Sequence, residues 1–305
     1  MRSIPQALAR KGHAMISPEL VDWLEGKIHS GILPDSARHV GGGCIHESML
    51  VDLIDGRSIF LKQNTPDQLP VFEAEKASLE LLRTAGAIRV PAPLASGVIG
   101  GRACLAMEGL PLTSSSESTG GAELGAKIAK LHQTLSPHGK FGAPFDNFIG
   151  ATPQSNRWSE DWADFFVNRR LVPQFRLAEK RGRRFENEER VCTIIHAHLR
   201  PLEINPSLVH GDLWNGNVGL LSDGEPAIFD PATYFGDPET DIAFTRMFGG
   251  FSPSFYVAYR AVHPAPEPGR EMIYNLYHLL NHWNLFGGSY GMSAEVSMQS
   301  ILKSH

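Results

Sequence analysis

The chain has 305 residues, 42% of them apolar and 20% charged, an ordinary soluble balance with room for two lobes and a large core. A net charge of −5 offers no general basic field and speaks against nucleic acid as a partner. Cys44, Cys104 and Cys192 are far apart and lack C-x-x-C spacing, which argues against a disulfide framework or zinc site and for a reducing, cytoplasmic setting.

The N-terminus carries Arg2, Arg10 and Lys11 without a continuous apolar stretch, so no signal peptide is expected. No run approaches the length that spans a bilayer, so no membrane segment is expected either. Val40-Gly41-Gly42-Gly43-Cys44 leads into the strand-like Met49–Ile54, the hairpin signal Asp55-Gly56, and a second strand, Ser58–Lys62. Three glycines alone make an ordinary flexible turn. Placed just before a strand that ends in a lysine, they let backbone N–H groups approach phosphates, with Lys62 reaching the α and β phosphates of ATP. Cys44 in that turn is a small apolar filler, or an exposed thiolate able to link two chains in an otherwise monomeric or weakly dimeric protein.

Leu69–Leu82 has the spacing of an amphipathic helix ending near Gly86. Glu75 on it is the candidate partner of Lys62, with Glu73 and Glu80 as competitors. Two strands, Leu94–Ile99 and Arg102–Met107, are joined by Gly100-Gly101, and Glu108-Gly109-Leu110-Pro111 breaks the pattern. This predicts a small five-stranded lobe with one helix, a hinge near 107–111, and backbone groups at Met107, Glu108 and Gly109 able to pair with adenine.

Beyond the serine-rich run Thr113–Thr119 the pattern becomes mainly helical, with helices expected over Ala122–Leu135, from Trp158, over Glu186–Leu202 and over Glu271–Phe286. The basic cluster Arg169, Arg170, Lys180, Arg181, Arg183 and Arg184, interleaved with Glu186, Glu188 and Glu189, reads as a solvated helix face. The histidines, thirteen in all, read as core or surface residues rather than metal ligands.

The most informative stretch is His210-Gly211-Asp212-Leu213-Trp214-Asn215-Gly216-Asn217, with Asp230 thirteen residues further on. Asp212 and Asn217 stand in the D-x-x-x-x-N spacing of kinase catalytic loops, in which the Asp positions the attacking hydroxyl and the Asn holds a metal. Val218–Leu221 and Ala227–Phe229 flank the turn cluster Ser222–Pro226, so a hairpin should return Asp230 to the side of Asn217. One amide oxygen and one carboxylate there suit Mg²⁺, which leaves Asp212 free as the base. Trp214 is a candidate for stacking on a sugar, and Asp241 and His210 are candidates for bracing the loop.

These residues resemble the fructosamine kinase (ketosamine kinase) family, related to aminoglycoside and choline phosphotransferases and more distantly to protein kinases. Besides the catalytic stretch, the resemblance rests on Asp146–Gly150 with Pro153–Asn156, Trp162–Phe166 with Arg170-Leu171, Phe229–Gly236, Met247–Phe251 and Leu280–Asn284. It implies an α+β, two-lobed, protein-kinase-like fold: a small antiparallel-sheet lobe over 1–108, and a larger mainly helical catalytic and substrate-binding lobe over 109–305. It further implies MgATP-dependent phosphorylation of the sugar 3-hydroxyl of a ketosamine, free or protein-bound, whose product falls apart and frees the amine. Substrate contacts are expected at Trp214, His282 and Trp283, with Asn281 and Asn284 beside them. Asn215, where Ser is common, and Asp237, where His is common, are departures that bear on substrate choice.

Overall fold

The computed structural model describes residues 15–41, 46–113 and 121–304, so Gly42, Gly43, Cys44 and the serine run beyond Thr113 lie outside the described residues. Helix α1 (Pro18–Ile28) starts on Ser17, whose hydroxyl accepts from the Leu20 N–H, while Pro18 presets the first helical φ. Strands β1 (Arg38–His39), β2 (Glu47–Asp52) and β3 (Ser58–Asn64) follow, then α2 (Leu69–Thr84), β4 (Pro93–Ile99) and β5 (Arg102–Glu108). They form one antiparallel sheet in the order β1-β2-β3-β5-β4. Gly100 and Gly101 turn β4 into β5 with φ of 55° and 75°, the two positive angles that a tight two-residue hairpin needs. β2 ends at Asp52, short of Ile54, because Leu53 bridges to Ile32 and the Ile54 N–H bonds to the Gly31 carbonyl.

Both faces of this sheet are covered. Along β5, Ala103, Leu105 and Met107 pack with Phe72, Leu79 and Leu82 of α2, while Cys104 and Ala106 pack with Leu20 and Leu24 of α1. These five central residues of β5, Ala103 to Met107, are all buried, so the strand reads as a continuous apolar run. Helix α1 is therefore an addition to the one helix expected in this lobe.

The larger lobe opens with α3 (Ala122–His132) and the hairpin β6 (Asn147–Ile149) and β7 (Thr152–Gln154). Helices α4 (Trp162–Phe166), α5 (Val172–Lys180) and α6 (Glu188–Leu199) follow, then strands β8 (Ser207–Val209), β9 (Val218–Leu220), β10 (Pro226–Ile228) and β11 (Tyr234–Gly236). Four helices close the chain: α7 (Glu239–Met247), α8 (Pro253–Arg260), α9 (Arg270–Phe286) and α10 (Tyr290–Lys303). Helix α4 begins at Trp162 rather than Trp158, since the Asp161 carboxylate caps the Asp164 N–H at 2.8 Å and Ser159 pairs with Phe141. Helix α3 stops three residues before Leu135, which instead bridges to Ser207.

Residues Val167–Leu171 form a π-helical turn between α4 and α5. Pro173 has no N–H to offer the carbonyl of Arg169, and that carbonyl accepts from the Arg170 guanidinium instead. The turn carries Arg170 inward, where it is wholly buried rather than on a solvated face. Its guanidinium lies 4.6 Å from the Phe165 ring centroid and 4.2 Å from that of Tyr234.

One apolar cluster joins the lobes, running from Leu79, Leu105 and Met107 to Ile128, Leu208, Val218 and Ile228. The β9–β10 hairpin is held from both sides: the Ile228 N–H bonds to the Arg89 carbonyl, and the Thr113 N–H to that of Leu220. No helix among the described residues is long and apolar enough to cross a membrane.

Candidate active site

The loop after β8 is held by one carboxylate. Asp241, on α7 and 2% exposed, accepts from the His210 N–H at 2.7 Å and the Gly211 N–H at 2.8 Å, and lies 3.1 Å from His132 Nε2. Gly211 has φ of 82°, and a Cβ there would sit 2.1 Å from the Ala232 carbonyl oxygen, so only glycine fits. The His210 ring is neutral with its proton on Nε2. That atom faces the Phe229 carbonyl at 3.0 Å, Nδ1 accepts from the Asp212 N–H at 3.2 Å, and burial holds the ring below the ordinary histidine value.

Asp212 stands at the end of this brace. Enclosure by the protein pushes its carboxyl up to about 7, against the hydrogen bond from Asn217 and with the charges of Asp230 and Asp241 adding to the rise. Part of its surface nevertheless stays open. Asn217 Nδ2 donates to Asp212 Oδ2 at 2.9 Å and to the Asp212 carbonyl at 2.8 Å, which leaves Asn217 Oδ1 as its remaining polar atom. The hairpin brings Asp230 back to this point: the Phe229 N–H bonds to the Asn217 carbonyl, and the Asp230 carbonyl lies 3.4 Å from Asn217 Nδ2. Asp230 itself has φ of 56°, a left-handed conformation that Asp tolerates better than most residues.

Lys62 joins the lobes at the site. Its Nζ is 2.7 Å from Glu75 Oε1 and 2.7 Å from Asp230 Oδ1. Burial alone would lower the ammonium's pKa, but the two carboxylates outweigh it and hold the group above the ordinary lysine value. Burial raises the pKa of Glu75 while Lys62 opposes the rise. Of the competing helix acids, Glu73 is exposed and Glu80 pairs with Lys76.

At the junction the backbone differs from expectation. The N–H groups of Glu108 and Gly109 are bonded to the carbonyls of Ala92 and Ser58, and the Glu108 side chain pairs with Arg89. The Leu110 N–H has no such partner among the described residues, so the open donor lies one residue beyond Gly109. Met107 is buried in the core, and Gly41 is exposed at the edge of the glycine-rich turn.

Around Trp214 the structure separates neighbours on α9. His282 lies 5.1 Å from the ring of Phe248, which in turn meets Trp214 edge-on at 5.8 Å. Trp283 does not join them: its ring packs against Phe185, with the Arg183 guanidinium over it. Asn281 and Asn284 are buried and bond to Gln174, tying α9 to α5. Of the two departures, Asn215 ties the catalytic loop to the Gly250 carbonyl. Asp237 is buried against Arg270 and Tyr274 and takes no part in the open surface.

A buried amide network was missed. Asn147 Oδ1 accepts from Gln154 and Asn156, Arg170 donates to Asn156 Oδ1 at 2.6 Å, and Tyr277 donates to Gln154 Oε1 at 2.6 Å. Gln154 and Asn147 in turn donate to the carbonyls of Ala232 and Thr233, which fixes the segment just after Asp230. The available signal was one amide on each of two very short strands, Asn147 and Gln154, with Asn156 just beyond, where a solvated hairpin needs none.

The class follows from the fold first. Choline kinase from Streptococcus pneumoniae superposes with a TM-score of 0.60 at 16% identity, over 93% of this chain and 99% of that one, a likeness of fold alone. This is the kinase-like fold of small-molecule phosphotransferases. A profile described as fructosamine kinase matches residues 17–304. A probable ketoamine kinase of Synechocystis sp. is 42% identical, covering 87% of this chain and 90% of its own, and a ketosamine-3-kinase of Mus musculus is 37% identical, covering 87% and 94%. A crystal structure from Haemophilus somnus, named as a candidate fructosamine-3-kinase, superposes with a TM-score of 0.84 at 29% identity over 93% of this chain and 97% of that one. The chain belongs to the fructosamine kinase family, and it is a phosphotransferase with a hydroxyl acceptor.

Proposed function

We propose that the chain transfers the γ-phosphoryl group of ATP to the 3-hydroxyl of the sugar in a ketosamine, the rearranged adduct of a sugar with an amine. The observation that carries the reading is the convergence of Lys62, Glu75, Asp230, Asn217 and Asp212, drawn from both lobes, into one hydrogen-bonded chain of charged and polar groups. Asp212 orients the hydroxyl and takes its proton as the oxygen attacks phosphorus, the bond to the ADP oxygen breaks, and ADP leaves. Lys62 neutralises the α and β phosphates. The Leu110 N–H and the Glu108 carbonyl are the backbone pair best placed for adenine, at a hinge between lobes 1–108 and 109–305.

Asn217 through Oδ1 and Asp230 through its carboxylate would hold Mg²⁺; the pair fits, because both offer hard oxygen and Asn217 has already turned its nitrogen to Asp212. When bound, the ion supplies charge neutralisation on the phosphates. His210 and Asp241 position the loop, and Trp214 and His282 line the acceptor side. The 3-phosphate of the product sits one carbon from the ketone; after enolisation towards C1 it is an allylic leaving group, and its loss leaves an imine that hydrolyses to the free amine. The reaction is then a deglycation or repair step, suited to the cytoplasm.

The test is ADP release from MgATP with ribulosamine, erythrulosamine and fructosamine adducts of lysine, with choline and kanamycin as controls. Turnover is expected on the adducts alone, and Asp212→Asn should lower it by roughly 10²–10⁴. Turnover only on a control, or an Asp212→Asn enzyme near wild type, overturns the reading.

A further inference from the structure

A chain of rings leads away from the catalytic loop. Leu213 is buried, while Asp212 and Trp214 on either side of it keep part of their surface open. From Trp214 the contacts run to Phe248 at 5.8 Å and to His282 at 5.1 Å, then to Phe286 at 5.8 Å and Tyr290 at 5.1 Å. Exposure grows along the path, from half-buried Trp214, Phe248 and His282 to Phe286, which is 56% exposed. Phe286 is thus the exposed end of a continuous line of rings that begins at the catalytic loop.

The track is uncharged. His282 Nδ1 faces the His278 carbonyl at 2.7 Å, so the ring proton sits there and Nε2 carries a lone pair. Burial holds the ring below the ordinary histidine value and keeps it neutral. On α10, beyond Tyr290, Glu295 is paired with Arg183 at 2.8 Å. Neutral rings bind an apolar group, or the face of a desolvated cation, and give no counter-charge to a free carboxylate.

We infer that this track takes the amine half of the ketosamine, with the sugar at Trp214, the linking nitrogen at His282, and an apolar alkyl or aryl substituent along Phe286 and Tyr290. The inference rests on the function proposed above and names its substrate class: ketosamines of amines with an apolar substituent, in preference to adducts of small or anionic amines such as glycine. Phe286, the last residue of α9, and Tyr290, the first of α10, are specificity determinants in this inference and not catalytic residues.

The experiment compares kcat/KM for one sugar carried on methylamine, glycine and 4-phenylbutylamine, in wild type, Phe286→Ser and Tyr290→Ser. Wild type should favour the phenylbutylamine adduct by about tenfold or more over the methylamine adduct, the usual scale for added apolar contact in a pocket. Each variant should lose about five- to tenfold on that adduct through KM. The methylamine adduct and the KM for MgATP should not move. Equal turnover of all adducts by wild type, or variants that lose equally on methylamine and phenylbutylamine adducts, overturns the inference alone. No turnover of any adduct removes the ketosamine reading and this inference with it.

Discussion

Replacing Asp241 by Asn changes one atom and tests the architecture of the loop. The carboxylate is buried and faces three N–H groups, of His210, Gly211 and His132. His132 can adapt, because its Nδ1 lies 2.9 Å from the Tyr259 hydroxyl and the pair can reverse its donor and acceptor. The two backbone N–H groups cannot. An asparagine offers one oxygen, so its NH₂ must meet one of them whichever way the amide is turned. One buried donor left unsatisfied costs about 1–3 kcal/mol, and loss of the charged acceptor for the other brings the total to about 2–4 kcal/mol. For a protein of this size that is a fall in Tm of about 3–6 °C. The loop carries Asp212, and a shift of about 1 Å in a reacting group costs roughly 10² in rate, so kcat should fall by that order while KM for both substrates changes little. Differential scanning fluorimetry and steady-state kinetics report the two halves. An unchanged Tm with kcat within about threefold of wild type would refute the bracing role, and a raised KM at constant kcat would make Asp241 a substrate contact.

Gly211→Ala should abolish turnover, since its Cβ meets the Ala232 carbonyl oxygen; Gly224→Ala, with φ of 88° but nothing within 4 Å, should cost about 1–2 kcal/mol and keep activity. Comparable kcat in the two would show that positive φ, and not close approach, matters at 211. Asp230→Ala should lose Mg²⁺-dependent nucleotide binding, and calorimetry giving wild-type MgATP affinity would take Asp230 out of the metal site. Stability should fall on acidification. His278 is buried against Phe244, ring centroids 3.7 Å apart, and burial holds it well below the ordinary value near 6.5, so below that pH the unfolded chain binds a proton that the folded one refuses. Each such histidine contributes up to about 1.4 kcal/mol per pH unit below pH 6.5, and His210, His263 and His282 are lowered in the same sense. His278→Phe keeps the stack and should flatten the slope by one proton; identical slopes in denaturant titrations would contradict the assignment.

What could be read from the residues was what local pattern controls. The Gly100-Gly101 hairpin, the amphipathic α2 and the paired runs around Ser222–Pro226 follow from turn chemistry and period, and each has its counterpart in the structure. Neighbours in sequence on a helix were harder. His282 and Trp283 differ by about 100° around α9, so one meets Phe248 and the other Phe185, and only the tertiary packing decides which. Arg170 was misread because a π turn, set by Pro173, rotates it inwards from what composition alone makes a charged face. Asp237, a departure from the family pattern, reads in sequence as bearing on substrate choice, yet its carboxylate is buried against Arg270 and Tyr274. Helix α1 went unread although Ser17-Pro18 is a start signal, since the face it buries rests on Leu20 and Leu24, too short a stripe to stand out before the sheet it covers is known.

The Lys62 cluster shows how such a site can be both assembled and ready to exchange partners. One ammonium serves two carboxylates at equal distance, but their surroundings differ: the Glu75 side chain is 10% exposed and that of Asp230 is 45% exposed. Removing Lys62 from Glu75 would leave a buried carboxylate uncompensated, at a cost of several kcal/mol, whereas water can take over much of what Asp230 loses. Any arriving phosphate that draws on Lys62 therefore displaces Asp230 first and leaves the Lys62–Glu75 pair standing. Asp230 has its backbone held independently of the side-chain bond to Lys62, through the Phe229–Asn217 link and the amide network beneath Ala232 and Thr233. Its carboxylate is free to turn from an internal ammonium to an external cation without moving the loop that carries it.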